Sequence, residues 1–222
     1  ELTVLIGFAC LSISSFWQMY DNLVPLILTN TFKINETVSG AIMAADNVLA
    51  LFLLPLFGGI SDRSRFKIGK RKPFIIFGTV AAVILMMGLP ILDNSYFASP
   101  ALWKLAAFIV LLGFLLISMG TYRSPAVALM PDVTPKPLRS KGNAIINLMG
   151  AVGGILYLLA NAVLYSKGRT EGLSHINYQP IFIVVGIIML IALFILIFFV
   201  NEPKLRKIQA EYEEAHPEEE LV

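Results

Sequence analysis

Charge is what this chain has least of. Lys, Arg, Asp and Glu make up 14% of its 222 residues, where soluble domains run nearer ~25%. Hydrophobic residues make up 57% and mean hydropathy is +0.76, which argues against a water-soluble domain. Cysteine is down to one, Cys10, so neither a disulfide framework nor a cysteine-based metal site is available; it reads as a small buried apolar residue. The two histidines, His175 and His216, lie in polar loops without metal-ligand neighbours and are expected to face solvent. No Ser/His/Asp set, phosphate loop or HExxH motif occurs. No enzyme activity, cofactor or metal is therefore expected.

What is present in quantity is long apolar runs. Six, near 2–29, 38–60, 73–92, 105–129, 143–165 and 180–200, are long enough to cross a ~30 Å hydrocarbon core as helices. Helices are the expected form, because backbone groups in lipid must be satisfied within the segment. The first run is too long for a signal-peptide core and no small-residue cleavage site follows it, so it is expected to be retained.

The few cations are placed rather than scattered. Loops 61–72, 130–142 and 201–208 hold twelve Lys/Arg, and loops 30–37, 93–104 and 166–178 hold four. That bias puts the first set and both termini in the cytoplasm, in a plasma (inner) membrane protein. Half of the twelve sit in SDRSRFKIGKRKPF at 61–74. A basic run can serve nucleic acid, an acidic partner or a membrane surface; its position between two spans favours the membrane and leaves nucleic acid out. Residues 201–222 read as a cytoplasmic amphipathic segment fading into an acidic linker. Starting at Glu1 and stopping in that linker, the sequence reads as a piece of something longer.

The spans suggest two triplets of opposite sense. Asp21 precedes Pro25 in the first helix and Arg123 precedes Pro125 in the fourth, as in inverted three-helix repeats of transporters.

The stretch GGISDRSRFKIGKRK fits Gly-x-x-x-Asp-Arg followed by Gly-x-Arg-Lys, filled by Gly58, Asp62, Arg63, Gly69, Arg71 and Lys72. It resembles the loop between helices two and three of the major facilitator superfamily. It departs in having five residues, Ser64 to Ile68, where the common form has one. The longer form SDRSRFKIGKRKPFI resembles the SDR…GRRRPFI stretch of sucrose-type sugar/proton symporters, a branch related to the glycoside–pentoside–hexuronide cation symporters. YRSPAVALMPDVTPKPLRSKGNA resembles that branch's CRALLADL…R…NA, and FWQMYDNLVPLIL more weakly its FGWALQLSLLTPY. The resemblance implies an all-α membrane fold, the N-terminal six-helix half of a major facilitator transporter with a 3+3 inverted repeat. It implies symport of a sugar or glycoside with a coupling cation, the proton being favoured, and a missing C-terminal six-helix half. It also implies a gating role for the loop motif, as a charge lock; a purely topological anchor is the alternative. An exporter of drugs or other solutes, or a six-helix scaffold or receptor, are the competing functions.

By the same resemblance, Arg123 falls on the helix-four arginine that the sucrose carriers use for sugar. Their helix-four aspartate is Leu112 here, and the two helix-two cation ligands of melibiose permeases fall at about Ala50 and Leu54. Replacements are sought among the ionisable residues inside spans: Asp21, Asp46 and Arg123. Each costs roughly 2.5–3.5 kcal/mol at a helix centre and should face the bundle interior with a partner. Counting ~1.5 Å per residue, Asp21 and Asp46 come to nearly one depth. One of them is expected to carry the proton, Asp21 slightly favoured, with Arg123 as partner; a permanent structural ion pair is the alternative. Trp17, Gln18, Asn147 and Tyr122 are the further candidate substrate ligands. Trp17 could stack on a sugar ring, with packing or an interface anchor as the commoner role of a Trp in a membrane helix. Gly150 and Gly154 are expected to mark close helix packing.

Overall fold

The computed structural model describes residues 2–215. His216 and the acidic run at Glu218, Glu219 and Glu220 lie outside the described residues. The described chain is helical without strands: α1 Leu2–Asn30, α2 Glu36–Arg63, α3 Lys72–Ala98, α4 Leu102–Val133, a single 3-10 turn Lys136–Leu138, α5 Arg139–Leu164, a short α6 Lys167–Thr170, α7 Gln179–Phe199 and α8 Glu202–Ala215. Six of these are long and apolar enough to span a membrane, so the chain is an integral membrane protein. The long helices overrun several of the apolar segments: α4 continues through Pro131 to Val133, and α2 through Asp62 to Arg63. Prolines 25, 55, 90, 125 and 131 sit inside helices. With no water in the hydrocarbon to take up freed backbone groups, the helical form persists around them. The α2 start is capped by the Asn35 side chain, which accepts from the Thr37 N–H at 3.0 Å.

Apolar side chains gain little from leaving lipid for protein, so close van der Waals fit and interhelical hydrogen bonds hold such a bundle. α1 lies against α5 and α7, α3 against α4 and α7, and α2 chiefly against α4. Exchanging α1 with α4, α2 with α5 and α3 with α7 maps this contact pattern onto itself. That is the 3+3 inverted repeat of the transporter fold.

Closest approach occurs where a side chain is missing. Expected at Gly150 and Gly154, it falls at Gly153, where an added Cβ would run into the Leu11 carbonyl. The Ser15 hydroxyl donates to the Gly153 carbonyl at 2.7 Å across the same seam. Gly78 lets α3 press on α4, a Cβ there lying 2.7 Å from the Tyr122 nitrogen.

At the end of the bundle away from loop 61–72, His175 corrects one expectation. It is half-buried, stacks on Phe97 with centroids 4.3 Å apart, and lies 2.9 Å from Asn94 Oδ1 and 3.5 Å from the buried Asp93 carboxylate. The reason is Asp93, a further charged residue within a helix, which lies in α3 beyond the apolar run and needs a polar neighbour.

Candidate functional site

Two polar chambers open on the side of α1 that α2 and α5 flank. The first, about 560 Å³, is walled by α1, α4 and α5, with Ser14, Gln18, Arg123, Asn143 and Asn147 as its polar side chains. The second, about 420 Å³, lies between α1 and α2 and holds Trp17, Asp21, Asp46 and Asn47. Ile13, Ser14, Gln18 and Arg123 line both, so Arg123 stands at the junction. Helical spacing explains the wall: Ser14, Gln18 and Asp21 recur every three or four residues and so share one face of α1. Asn143, Asn147, Gly150 and Gly154 do the same on α5.

Within this wall the partners differ from those expected. The Arg123 guanidinium lies over the Trp17 ring, 5.7 Å from its centroid, a cation–π arrangement. Among the described residues no ion pair joins it to Asp21 or Asp46. Asp46 instead accepts a hydrogen bond from the Tyr20 hydroxyl. Asp21 is exposed rather than buried, because α2 packs chiefly on α4 rather than on α1. The Trp17 indole nitrogen is buried with no partner, leaving a donor unspent beside Arg123. Cys10 is half-buried and forms part of the first chamber's apolar wall.

Tyr122 does not line either chamber. It is buried in the seam of α1, α3 and α4, where its hydroxyl donates to the Ala9 carbonyl at 3.1 Å and meets the Ser12 hydroxyl. One residue from Arg123 on a helix, it is turned about 100° away from it, and its side chain points into this seam instead. Tyr20 was the residue missed. Its aromatic ring lies among apolar neighbours and looks like core by spacing; its hydroxyl finds Asp46 only once α2 is placed.

The loop motif builds a second cluster at the charged end of the bundle. Arg71 is 5% exposed; its guanidinium reaches Asp62 at 2.5 Å, Asp132 of α4 at 2.8 Å and the Ser61 hydroxyl at 3.2 Å. Asp132 also receives Arg206 of α8 at 3.1 Å. Glu202, fully buried, accepts from the backbone N–H groups of Lys70 at 2.8 Å, Arg71 at 3.1 Å and Lys72 at 3.2 Å. A helix start leaves such donors open, and Pro73 at the next position needs none. Gly69 makes the turn at φ +126°, and a side chain there would collide with the Glu202 carboxylate. The Lys72 ammonium donates to the Ile197 carbonyl near the end of α7 at 3.0 Å, where a cation also suits the helix dipole. Gly58 faces Ser124, which donates to the Leu54 carbonyl at 2.9 Å. Arg63, expected beside Asp62 in the lock, is exposed on the surface instead. Asp132, Glu202 and Arg206 were missed, because loop proximity across three helices has no sequence signal.

Comparison with known proteins comes to the same architecture. The family model described as Major Facilitator Superfamily matches residues 5–219. The sucrose transport protein SUC3 of Arabidopsis thaliana is 28% identical over 63% of this chain and 25% of its own. The sucrose transport protein SUT4 of Oryza sativa subsp. indica is 26% identical over 85% of this chain and 35% of its own. The alpha-ketoglutarate permease of Escherichia coli is 27% identical over 77% of this chain and 34% of its own. The chain thus spans about a quarter to a third of the length of these relatives. No solved structure gives a significant match.

Proposed function

The chain belongs to the Major Facilitator Superfamily, and from that premise we propose that it is one six-helix unit of a secondary transporter that moves a sugar or glycoside together with a proton. The observation that carries this reading is Arg123 at the junction of two chambers, one walled by amides and a hydroxyl, the other by two carboxylates. Amide, hydroxyl and guanidinium groups suit the many hydroxyls of a sugar, and Trp17 offers an aromatic face. The proposed division of labour puts solute against Arg123, Gln18 and Asn147, and the proton on a carboxylate of the second chamber.

Asp46 suits the proton better than Asp21. It lies at both cavities that adjoin Arg123 and Trp17 on the α2 side, and its Tyr20 hydrogen bond supplies a partner in the ionised state. Protonation would remove a negative charge beside Arg123 and free the guanidinium for solute hydroxyls.

The exposed faces of α2 and α5 support a second six-helix body. Leu51, Phe52, Leu148 and Leu159 are all largely exposed on the two helices that border the chambers. A partner unit there would close the cleft around the solute. The bundle end bearing loop 61–72 is proposed to be cytoplasmic, on the cation bias. Cysteine introduced at Ser95 should label from outside the cell and at Ser64 only from within.

An organic acid is the second reading, since an alpha-ketoglutarate permease is among the relatives and Arg123 suits a carboxylate. Uptake of labelled sugars and labelled dicarboxylates by cells expressing the complete gene, with and without a proton gradient, tests both. Gradient-dependent sugar accumulation that is lost in Arg123→Lys supports the first. Dicarboxylate uptake alone replaces it with the second, and no uptake of either overturns both.

A further inference from the structure

The charge cluster uses Asp62, Gly69, Arg71 and Lys72, but none of the five residues Ser64 to Ile68 that the chain carries beyond the common motif. Their exposure is unusual in kind. Arg65 and Lys67 are exposed and take part in no ion pair among the described residues, although Asp62 lies close by in the chain. Between and beside them Phe66 is 58% exposed and Ile68 59% exposed. Alternating cations and bare apolar side chains suit neither water nor hydrocarbon alone. They suit the boundary between them.

The segment is not a loose tether. The Phe66 ring meets the Phe74 ring edge-on with centroids 6.3 Å apart, which ties it to the start of α3. Ile68 then heads an apolar groove of about 540 Å³ that continues along α3 through Pro73, Ile76, Phe77, Val80 and Ile84. From residue 73 to 84 a helix rises about 16 Å, close to half of the ~30 Å hydrocarbon thickness. The groove is therefore one leaflet deep, is apolar along its length, and has cations at its mouth.

We propose that this groove and segment 64–68 bind one anionic phospholipid, its phosphate on Arg65 and Lys67 and one acyl chain along α3. Charge complementarity selects the occupant. A zwitterionic lipid would bring a cation of its own beside its phosphate and leave the two side chains only partly compensated, and an apolar helix of another protein would bury them against lipid-facing residues. Bilayer anionic lipid is also the ligand already concentrated at such a boundary, where basic segments next to spans attract it. The site shares no lining residue with the two solute chambers.

The test is native mass spectrometry of the protein released from vesicles of equal phosphatidylglycerol and phosphatidylcholine. The wild type is expected to retain phosphatidylglycerol preferentially. Arg65→Gln/Lys67→Gln should lower that preference roughly tenfold or more without moving the melting temperature, since neither side chain joins an ion pair among the described residues. Ala81→Phe fills the groove with the charges intact and should remove retained lipid of either kind. Equal retention of the two lipids, or an unchanged preference in the double variant, overturns the proposal. So does displacement by soluble glycerol 3-phosphate, which would mark a headgroup-only anion site. Release as a dimer whose formation Ala81→Phe abolishes would assign the groove to a second copy and overturn it as well.

Discussion

The Glu202 carboxylate accepts the backbone N–H of Arg71 while the Arg71 side chain turns the other way, to Asp62 and Asp132. One residue thereby joins α2, α3, α4 and α8, its main chain held by one carboxylate and its side chain by two more. The arrangement makes Glu202 the anchor of the α3 start. Glu202→Gln keeps the shape but removes the charge, and turns an N–H₂ toward amides that are themselves donors. Thermal unfolding in detergent should show a loss on the order of 1–3 kcal/mol. A wild-type melting curve would mean that the three N–H groups are served equally well by water.

The two carboxylates on the Arg71 side chain are not equivalent. Asp62 has a side chain 60% exposed, so its pairing is screened; Asp132 is 21% exposed and holds both Arg71 and Arg206. If the cluster locks and releases the charged end during transport, Arg71→Gln and Asp132→Asn should slow turnover more than Asp62→Asn. Solute affinity should change little in all three. Arg63→Gln, removing a surface cation, should leave turnover near wild type. Counterflow rates in reconstituted vesicles decide it, and equal effects of Arg63 and Arg71 would reduce the loop to a topological anchor.

How much of this was legible in the sequence follows from the range of each interaction. Six spans could be read because hydrophobicity over about 20 residues is a local property. The face Ser14, Gln18, Asp21 was legible for the same reason, since helical spacing alone fixes it. Tyr122 was misread because adjacency to Arg123 in the chain does not say which of two neighbouring side chains faces the cavity; its hydroxyl finds Ala9 and Ser12 only once α1 is packed on α4. Tyr20 and Glu202 were invisible: each finds its partner across 26 and 131 residues respectively, and nothing in their neighbourhoods marks them. His175 looked solvated because its stacking on Phe97 and approach to Asp93 depend on how the α6–α7 connection folds back over α3. Arg71 was read in the motif, but its second carboxylate, Asp132, comes within reach only because α4 runs on to Val133.

The α1–α5 seam gives a packing prediction. Gly153 sits against the Leu11 carbonyl, which is backbone and cannot swing aside as a side chain would. Gly153→Ala should therefore force α1 and α5 apart and destabilise the protein by about 1–3 kcal/mol, with Ser15 losing its 2.7 Å hydrogen bond. Gly154→Ala is the control, because a Cβ there would meet only the Gln18 amide oxygen at 3.8 Å. Its melting temperature should stay near wild type. Equal loss in both variants would show that helix flexibility, rather than close approach, sets the requirement for glycine.

The proposed coupling site makes the sharpest demand on the proposed function. Arg123 lies over Trp17, 5.7 Å from the ring centroid, and Asp46 is held by Tyr20, so guanidinium and carboxylate face one space without touching. A permanent structural ion pair would have joined them; a pair that forms and breaks with proton and solute need not. Arg123→Lys keeps the charge but loses the planar fork that grips two hydroxyls, so it should abolish sugar binding while the protein still folds. Asp46→Asn should still exchange sugar across the membrane but not accumulate it, because a neutral carboxamide carries no proton. Asp21→Asn should accumulate sugar at a reduced rate, Asp21 being exposed and, among the described residues, without a hydroxyl partner of its own. Tyr20→Phe separates positioning from proton carriage: it should shift the pH profile of uptake while preserving accumulation. These are read by comparing exchange with accumulation in the complete protein under an imposed proton gradient. Full accumulation by Asp46→Asn would move the proton to Asp21, and full accumulation by both Asn variants would remove the carboxylates from coupling altogether.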